Sequence, residues 1–211
     1  MSDGVTEQVA SAWQAMSGWE IAAVILAIAY LLLAVRQNSL CWYCALASTA
    51  IYTALFWDVQ LLMESALNGY YMLMAVYGWW QWHHGGARDT TLPVQRWSGK
   101  KHALTIVTIA LLTLTSGSLL HQYTGAAWPY VDSFTTWASV ITTFMVARKV
   151  LENWLYWMII NSTSIFLFID RGLYLTAGLL VTYLVISVFG FISWRRDYNN
   201  HIDATTGAAR A

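Results

Sequence analysis

Seven apolar stretches, each close to the length of a bilayer-spanning helix, most constrain what this chain can fold into. A membrane-spanning helix takes about 20 apolar residues, within a range of roughly 17 to 25. The stretches run approximately from Trp19 to Val35, Leu40 to Trp57, Ser65 to Trp82, His102 to Leu120, Asp132 to Ala147, Asn153 to Ile169 and Gly172 to Trp194. Both prolines fall between them, so no helix is predicted to be broken. The sequence therefore predicts an all-α membrane protein with seven transmembrane helices.

Charged residues are too scarce to coat a soluble protein of this size. Of the 211 residues, 10% are charged and 58% are hydrophobic, whereas soluble domains carry about 25% charged residues. The 11 basic and 11 acidic residues cancel, and without a basic stripe the electrostatic attraction to a phosphate backbone is missing. We therefore expect a lipid bilayer as the surroundings and no nucleic acid as a partner.

The basic residues fall almost entirely in alternate loops. Ten of the 11 share one side of the predicted topology, and Arg171 alone falls on the other side. Loops rich in lysine and arginine stay in the cytoplasm. The sequence therefore predicts an N-terminus outside and a C-terminus in the cytoplasm.

The chain repeats itself after 112 residues. An ungapped shift of that length pairs residues 36–82 with residues 148–194 and gives 11 identities, among them Trp42 with Trp154, Tyr71 with Tyr183, Gly78 with Gly190 and Trp82 with Trp194. Each half holds three helices, and a fourth helix between them restores a parallel orientation. We expect a 3+1+3 architecture, with two parallel three-helix bundles related by an axis along the membrane normal, as in SWEET transporters.

The predicted spans and the repeat divide the chain into six parts. Val5, Val9 and Trp13 recur at helical spacing, which favours an interfacial amphipathic helix at the N-terminus over a frayed tail. The expected parts are an interfacial segment at 1–18, a first bundle at 19–82, a cytoplasmic linker at 83–101, a linker helix at 102–121, a second bundle at 129–195 and a cytoplasmic tail at 196–211.

No charged residue or histidine lies well inside a predicted span. Ionisable groups within a membrane mark proton relays and ion sites, so their absence favours transport that is not coupled to an ion. Lys100, Lys101 and Lys149 fall in loops, which argues against a retinal protein. The lack of an acid and base pair argues against an enzyme, and no cofactor or metal is expected.

One face of the sixth span carries aromatic and polar side chains. Trp154, Trp157, Asn161 and Ser164 step by three or four residues, and Asn161 falls near the middle of the bilayer. This face suits a flat polar ligand, although an asparagine there can also simply hydrogen-bond a neighbouring helix. The repeat relates it to Thr49 and Tyr52 in the second span, so the two faces differ, as an asymmetric ligand requires.

Other polar residues are weaker candidates. Gln60, Asn68, Tyr71 and Tyr183 can contribute to the same site or can serve as caps and packing residues. Cys41 and Cys44 have a CxxC spacing, and His83, His84 and His102 share the inner surface, but neither set has the context of a redox or zinc site. Trp79, Trp80, Trp82, Trp97, Trp128 and Trp194 mostly fit an interfacial aromatic belt.

The chain resembles the Pnu family of bacterial vitamin transporters, and within it the nicotinamide riboside branch, PnuC. The run RKVLENWLYWMIIN, from Arg148 to Asn161, is similar to the family pattern R-K-x-x-E-N-W-L-x-W-x-I-I-N. VQL at 59–61 and YGWWQW at 77–82 resemble two further stretches of the family.

The resemblance implies a SWEET-like homotrimer in the bacterial inner membrane. It implies facilitated diffusion of nicotinamide riboside, with trapping by a cytoplasmic nicotinamide riboside kinase. Trp154, Trp157 and Asn161 carry over as substrate residues, with Gln60, and Ser48 stands where some relatives have asparagine. Sister branches carry thiamine or other nucleosides, and a seven-helix sensor is an alternative outside the family.

The charge distribution makes a testable prediction about sidedness. In a variant lacking both native cysteines, a cysteine at residue 90 should react with an impermeant maleimide only from the cytoplasm, and one at residue 126 only from outside. Reversed accessibility would contradict the topology.

Overall fold

The computed structural model describes residues 2–58, 60, 62–86, 91–124 and 128–208, and these residues form eight helices. In that part of the chain one isolated β-bridge, between Gln95 and Val150, is present beside the helices. The all-α prediction is therefore confirmed. The helices are α1 Ser2–Ala15, α2 Gly18–Val35, α3 Cys41–Asp58, α4 Leu62–His84, α5 Gly99–Tyr123, α6 Pro129–Ala147, α7 Asn153–Asp170 and α8 Tyr174–Ala208.

Local chemistry sets several of these boundaries. Ser17 and Glu20 form a capping box at the start of α2, which satisfies two backbone N–H groups that have no partner in the first turn. Pro129 occupies the first turn of α6, where its missing N–H costs nothing. Helix α8 continues to Ala208, so the stretch expected as a tail after residue 195 is helical over most of its length.

Three of the eight helices are long and apolar enough by themselves to cross a membrane. They are α2, α5 and the Tyr174–Ala204 part of α8. Helices α3, α4, α6 and α7 carry more hydroxyl, amide and aromatic side chains. Such composition fits helices that face one another around a polar interior more than helices surrounded by lipid.

Six helices pack side by side in a closed ring. Helix α2 contacts α3, α3 contacts α4, α4 contacts α6, α6 contacts α7, α7 contacts α8, and α8 returns to α2. Helix α5 packs against α6, and α1 packs against α8. Helices α3 and α7 therefore lie on opposite sides of the ring, and their facing sides border its interior.

The 112-residue repeat is visible in the helix boundaries. Equivalent positions begin α3 and α7, end α3 and α7, and begin α4 and α8: Cys41 and Asn153, Asp58 and Asp170, Leu62 and Tyr174. The same spacing separates the left-handed backbone residues of the turns. These are Gln37 and Lys149, with φ of 53° and 48°, and Gln60 and Gly172, with φ of 63° and 73°.

A tryptophan packed flat on a glycine joins neighbouring helices in each half. A Cβ atom at Gly190 in α8 would lie 2.6 Å from the ring of Trp154 in α7. At Gly78 in α4 a Cβ atom would overlap the ring of Trp42 in α3. Glycine is needed at both places because only its bare backbone leaves room for an indole at this distance.

The two ends of the ring differ in charge. The end at which α3 and α7 begin, here called the basic end, carries Arg36, Arg148, Lys149, Arg195 and Arg196. The opposite end, here called the acidic end, carries Glu20, Asp58, Asp132 and Asp170, with Arg171 bonded to Asp132 at 2.8 Å.

Residues 91–98 of the linker lie without helical structure against the loop between α6 and α7 at the basic end. Leu92 and Val94 are buried, and the backbone of Gln95 accepts a hydrogen bond from Leu151 N–H at 2.8 Å and donates one to the carbonyl of Lys149 at 3.0 Å. Arg96 pairs with Glu152 at 2.7 Å. The linker thus fixes the loop between α6 and α7.

The glycine contacts make a testable prediction about stability. Gly190→Ala should lower the stability of the unliganded protein by about 1–3 kcal/mol, because a new methyl group must displace Trp154. Gly178→Ala, in the same helix, is the matched control, since nothing lies within 4 Å of its Cβ position. Thermal unfolding in detergent should show a lower midpoint for the first variant alone. Equal midpoints would contradict the tight indole packing.

Candidate functional site

A row of four tryptophans closes the ring at the basic end. Trp42, Trp82, Trp194 and Trp154 contact edge to face, with successive ring centroids 5.3, 6.0 and 5.4 Å apart. All four are at most 2% exposed. Edge-to-face contacts of this kind are favourable beyond the area they bury. The four rings therefore form a packed layer at this end of the ring.

The middle pair of the row ties the two halves together. The indole Nε1 of Trp82 donates to the carbonyl of Val146 at 3.2 Å, and Nε1 of Trp194 donates to the carbonyl of Ala34 at 3.0 Å. Ala34 and Val146 are 112 residues apart, as are the two donors. Each half thus gives the other one hydrogen bond, and parting the halves at this end breaks both.

This row was not predicted from the sequence. The prediction that Trp82 and Trp194 lie in an interfacial belt is wrong because both rings lie in the core. The repeat indicates a buried role for both tryptophans, since the pairs Gly78 with Trp82 and Gly190 with Trp194 recur at the same spacing. A residue that serves a symmetric contact is retained in both halves, whereas a lipid-facing residue has no such constraint.

Above the row, α7 presents two buried polar side chains that lack partners. Asn161 is 4% exposed and Ser164 is 7% exposed. Among the described residues neither side chain makes a hydrogen bond. Asn161 lies eight residues after the start of α7, about 12 Å along its axis. Neither residue contributes to the fully enclosed polar atoms of the described chain that lack a partner, so the amide and the hydroxyl keep access to the interior, where a ligand could bond them.

Trp157 and Trp154 have different surroundings although they share this helix face. Trp157 is half-buried and packs against both hydrophobic clusters of the molecule. Trp154 is 1% exposed and is enclosed by Trp194 and Gly190. Its indole N–H has no partner among the described residues, and the same holds for Trp42, its equivalent in the first half.

The opposite face, on α3, is largely satisfied by its own helices. The Ser48 hydroxyl donates to the carbonyl of Ala23 in α2 at 2.8 Å. The Thr49 hydroxyl donates to the carbonyl of Ala45 at 2.7 Å. Tyr52 stacks on Phe56 with centroids 5.7 Å apart. The two faces are therefore asymmetric: α7 offers free polar groups, whereas α3 offers aromatic surface.

Two tyrosines related by the repeat interact with residues of other helices. Tyr71 in α4 interacts with Ser139 in α6. Tyr183 in α8 lies close enough to Tyr52 in α3 for an electrostatic interaction, although α2 separates those two helices in the ring. Tyr71 thus links neighbouring helices, whereas Tyr183 approaches a helix that is not its neighbour in the ring.

The remaining candidates lie apart from this cluster. The Asn68 amide donates to the carbonyl of Glu64 in its own helix at 2.9 Å. Gln60 is exposed in the turn after α3, and its amide lies 3.4 Å from the carbonyl of Trp57. This turn is at the acidic end, so Gln60 sits at the entrance of the ring and not beside Asn161.

The cysteines and histidines form no common site in the described part of the chain. Both cysteines are free, and Cys41 is buried. His83 and His84 contact Trp79 and Trp80 of their own helix, whereas His102 lies 3.0 Å from the hydroxyl of Tyr156. Among these residues no group of three potential ligands could hold a metal ion.

Comparison with known proteins places this arrangement among transporters. The family model described as nicotinamide mononucleotide transporter matches residues 17–196. A nicotinamide riboside transporter, PnuC of Escherichia coli (strain K12), is 22% identical over 178 residues, which cover 72% of this chain and 74% of that protein. A riboflavin/roseoflavin transporter, RibM of Streptomyces davaonensis, is 23% identical over 88% of this chain and 87% of its own length.

A solved structure has the same fold. The crystal structure of the vitamin B3 transporter PnuC superposes with a TM-score of 0.70 at 20% identity, over 93% of this chain and 89% of that one.

Proposed function

Because the chain belongs to the nicotinamide mononucleotide transporter family, we propose that it carries nicotinamide riboside across the membrane by facilitated diffusion. Family and fold identify a multi-pass membrane transporter and not an enzyme. The Asn161 side chain, which makes no hydrogen bond to any described residue halfway along α7, is the observation that most supports a bound polar substrate at this place.

The proposed membrane arrangement follows the repeat. Helices α2 to α4 and α6 to α8 are the two parallel bundles, and α5 is the linker helix of a 3+1+3 fold. The basic end faces the cytoplasm, because basic loops remain on that side. The described conformation is then closed toward the cytoplasm by the tryptophan row, with the site reached from the acidic end.

The chemistry of the site matches a cationic pyridinium nucleoside. The face of Trp157 can hold the charged ring by cation–π attraction. The Asn161 amide can both donate to and accept from the carboxamide, and Ser164 and the two tyrosines related by the repeat can bind the ribose hydroxyls. Such a site binds a cation without an acidic side chain, which suits spans that carry no acidic residue well inside them.

Transport through this interior is proposed to be uncoupled. A carrier without an ionisable relay equilibrates its substrate and does not concentrate it. Net uptake then depends on trapping, and phosphorylation by a cytoplasmic nicotinamide riboside kinase would supply it. We also propose that the protein forms a homotrimer in the bacterial inner membrane. This part of the proposal rests on the family resemblance.

Riboflavin is the second candidate substrate. The riboflavin/roseoflavin transporter RibM matches a larger share of this chain than the Escherichia coli nicotinamide riboside transporter does. Riboflavin also combines a flat ring with a polyhydroxyl chain, but its ring is uncharged. Thiamine is a third possibility because it is a cationic aromatic.

Uptake into liposomes tests the proposal. Labelled nicotinamide riboside should equilibrate across the membrane in the absence of ion gradients, and should not accumulate when a proton or sodium gradient is imposed. Unlabelled nicotinamide riboside should compete, and riboflavin and thiamine should not. Preferential competition by riboflavin would transfer the assignment to that substrate, and gradient-driven accumulation would refute uncoupled transport.

Substitutions on the α7 face should affect binding more than folding. Trp157→Ala should cost about 1–2 kcal/mol of binding, roughly a five- to thirtyfold loss of affinity, and Trp157→Phe should cost less. Asn161→Leu should weaken binding by more than tenfold while leaving thermal stability unchanged or higher, because no hydrogen bond of the unliganded protein is lost.

Thr49→Val is the matched control for the asparagine variant. It changes the position equivalent to Asn161 in the first half, where the hydroxyl bonds its own helix, and should leave affinity within about twofold. Titration calorimetry with nicotinamide riboside gives both affinities. An Asn161→Leu variant that melts earlier yet binds normally would make Asn161 a packing residue.

A further inference from the structure

Two equivalent residues of the repeat meet at the basic end. Lys149 follows α6 and Gln37 follows α2, and both have a left-handed backbone. The Lys149 ammonium donates to the Gln37 Oε1 atom at 3.2 Å. Side chains 112 residues apart can touch only where the axis relating the halves passes between them. The contact therefore marks that axis at the closed end of the ring.

The Lys149 ammonium is buried there without a directly bonded carboxylate. Lys149 is 5% exposed, and its Nζ atom lies 4.6 Å from the centroid of the Trp82 ring. Within the described chain no carboxylate lies within the 4.0 Å of an ion pair with it. Asp197 is linked to the lysine through Gln37, because its carboxylate accepts a hydrogen bond from the Gln37 amide at 2.7 Å.

The other charged groups nearby are engaged elsewhere. Glu152 in the same loop is paired with Arg96 of the linker, and Arg148 points to the hydroxyl of Tyr77 in α4. From α3, the thiol of Cys41 faces the lysine. An amide oxygen and an indole face together stabilise an ammonium ion less than its hydration shell does. Burying this charge is therefore unfavourable.

We propose that Lys149 is a positioning residue for transport, whose buried charge favours separation of the two halves at the basic end. Water reaches the ammonium when the tryptophan row parts, and this gain offsets part of the cost of breaking the Trp82 and Trp194 hydrogen bonds. The proposal rests on the transport function proposed above. Lys149 then helps to set the equilibrium between the closed and open states of the carrier.

The charge makes the balance depend on pH. Burial lowers the pKa of Lys149 from 10.5 to about 8 in the closed state, although Cys41 and Asp197 partly offset it. In an open, hydrated state the pKa returns toward its ordinary value. The open state therefore binds the proton more tightly, so protonation favours opening, and deprotonation above about pH 8 favours the closed state.

Uptake by three proteins tests the proposal. Where opening limits the rate, wild-type uptake should fall by up to about tenfold per pH unit between pH 8 and 10. Lys149→Met, which lacks the charge as the deprotonated lysine does, should be about a hundredfold slower than wild type at pH 7 and independent of pH. Lys149→Arg should stay fast at pH 9.5, because a guanidinium keeps its proton. Lys101→Met, which removes an exposed charge at the same end, is the control and should follow the wild type.

Thermal unfolding in detergent provides a readout that does not depend on the substrate. Removing an unfavourable buried charge should raise the midpoint of Lys149→Met by about 2–4 °C, whereas Lys101→Met should not change it. A lower midpoint for Lys149→Met together with faster uptake would show that the lysine stabilises the closed state, and would overturn the proposal. Wild-type protein that transports no nucleoside would refute the proposed function, and the melting comparison would still decide the role of Lys149.

Discussion

The packing of indole rings against bare backbone organises this molecule. In each half a tryptophan at the start of the middle helix lies on a glycine of the third helix, at Gly78 and at Gly190. This contact brings the helices close enough for a second tryptophan to reach the carbonyl of the other half. One repeated local fit therefore builds the bundles and also joins them. A lipid environment makes such close contacts necessary, because helices in a membrane gain little from hydrophobic burial against each other.

The same construction explains where a site can exist. Four buried tryptophans pack together at the basic end, whereas halfway along α7 the side chains become short and polar. At that level the first half uses its hydroxyls within its own helices, through Ser48 and Thr49. The second half leaves Asn161 and Ser164 without partners. Symmetry thus holds where the halves must close on one another and is lost where an asymmetric molecule must bind.

Much of this could be predicted from the sequence, because the strongest constraints are local or repetitive. Span length and proline placement predict the helix positions within a few residues, except that α8 ends at Ala208 and not near Trp194, and the identities at a spacing of 112 residues correspond to equivalent helix starts and turns. The burial of Trp82 and Trp194 was missed because hydropathy does not distinguish an aromatic residue at the lipid interface from one inside the ring. The environment of Trp154 was missed for the same reason. The contact between Gln37 and Lys149 depends on where the axis passes, which periodicity alone does not locate.

Side-specific labelling of a cysteine beside Asn161 tests whether the substrate site lies there and is closed toward the basic end. The protein should carry Ser164→Cys in a background without Cys41 and Cys44, reconstituted so that each face can be reached separately. We expect an impermeant maleimide to react from the acidic end far faster than from the basic end, and nicotinamide riboside to slow that reaction. Equal labelling from both ends, or labelling that the nucleoside does not slow, would contradict a substrate site closed off by the tryptophan row.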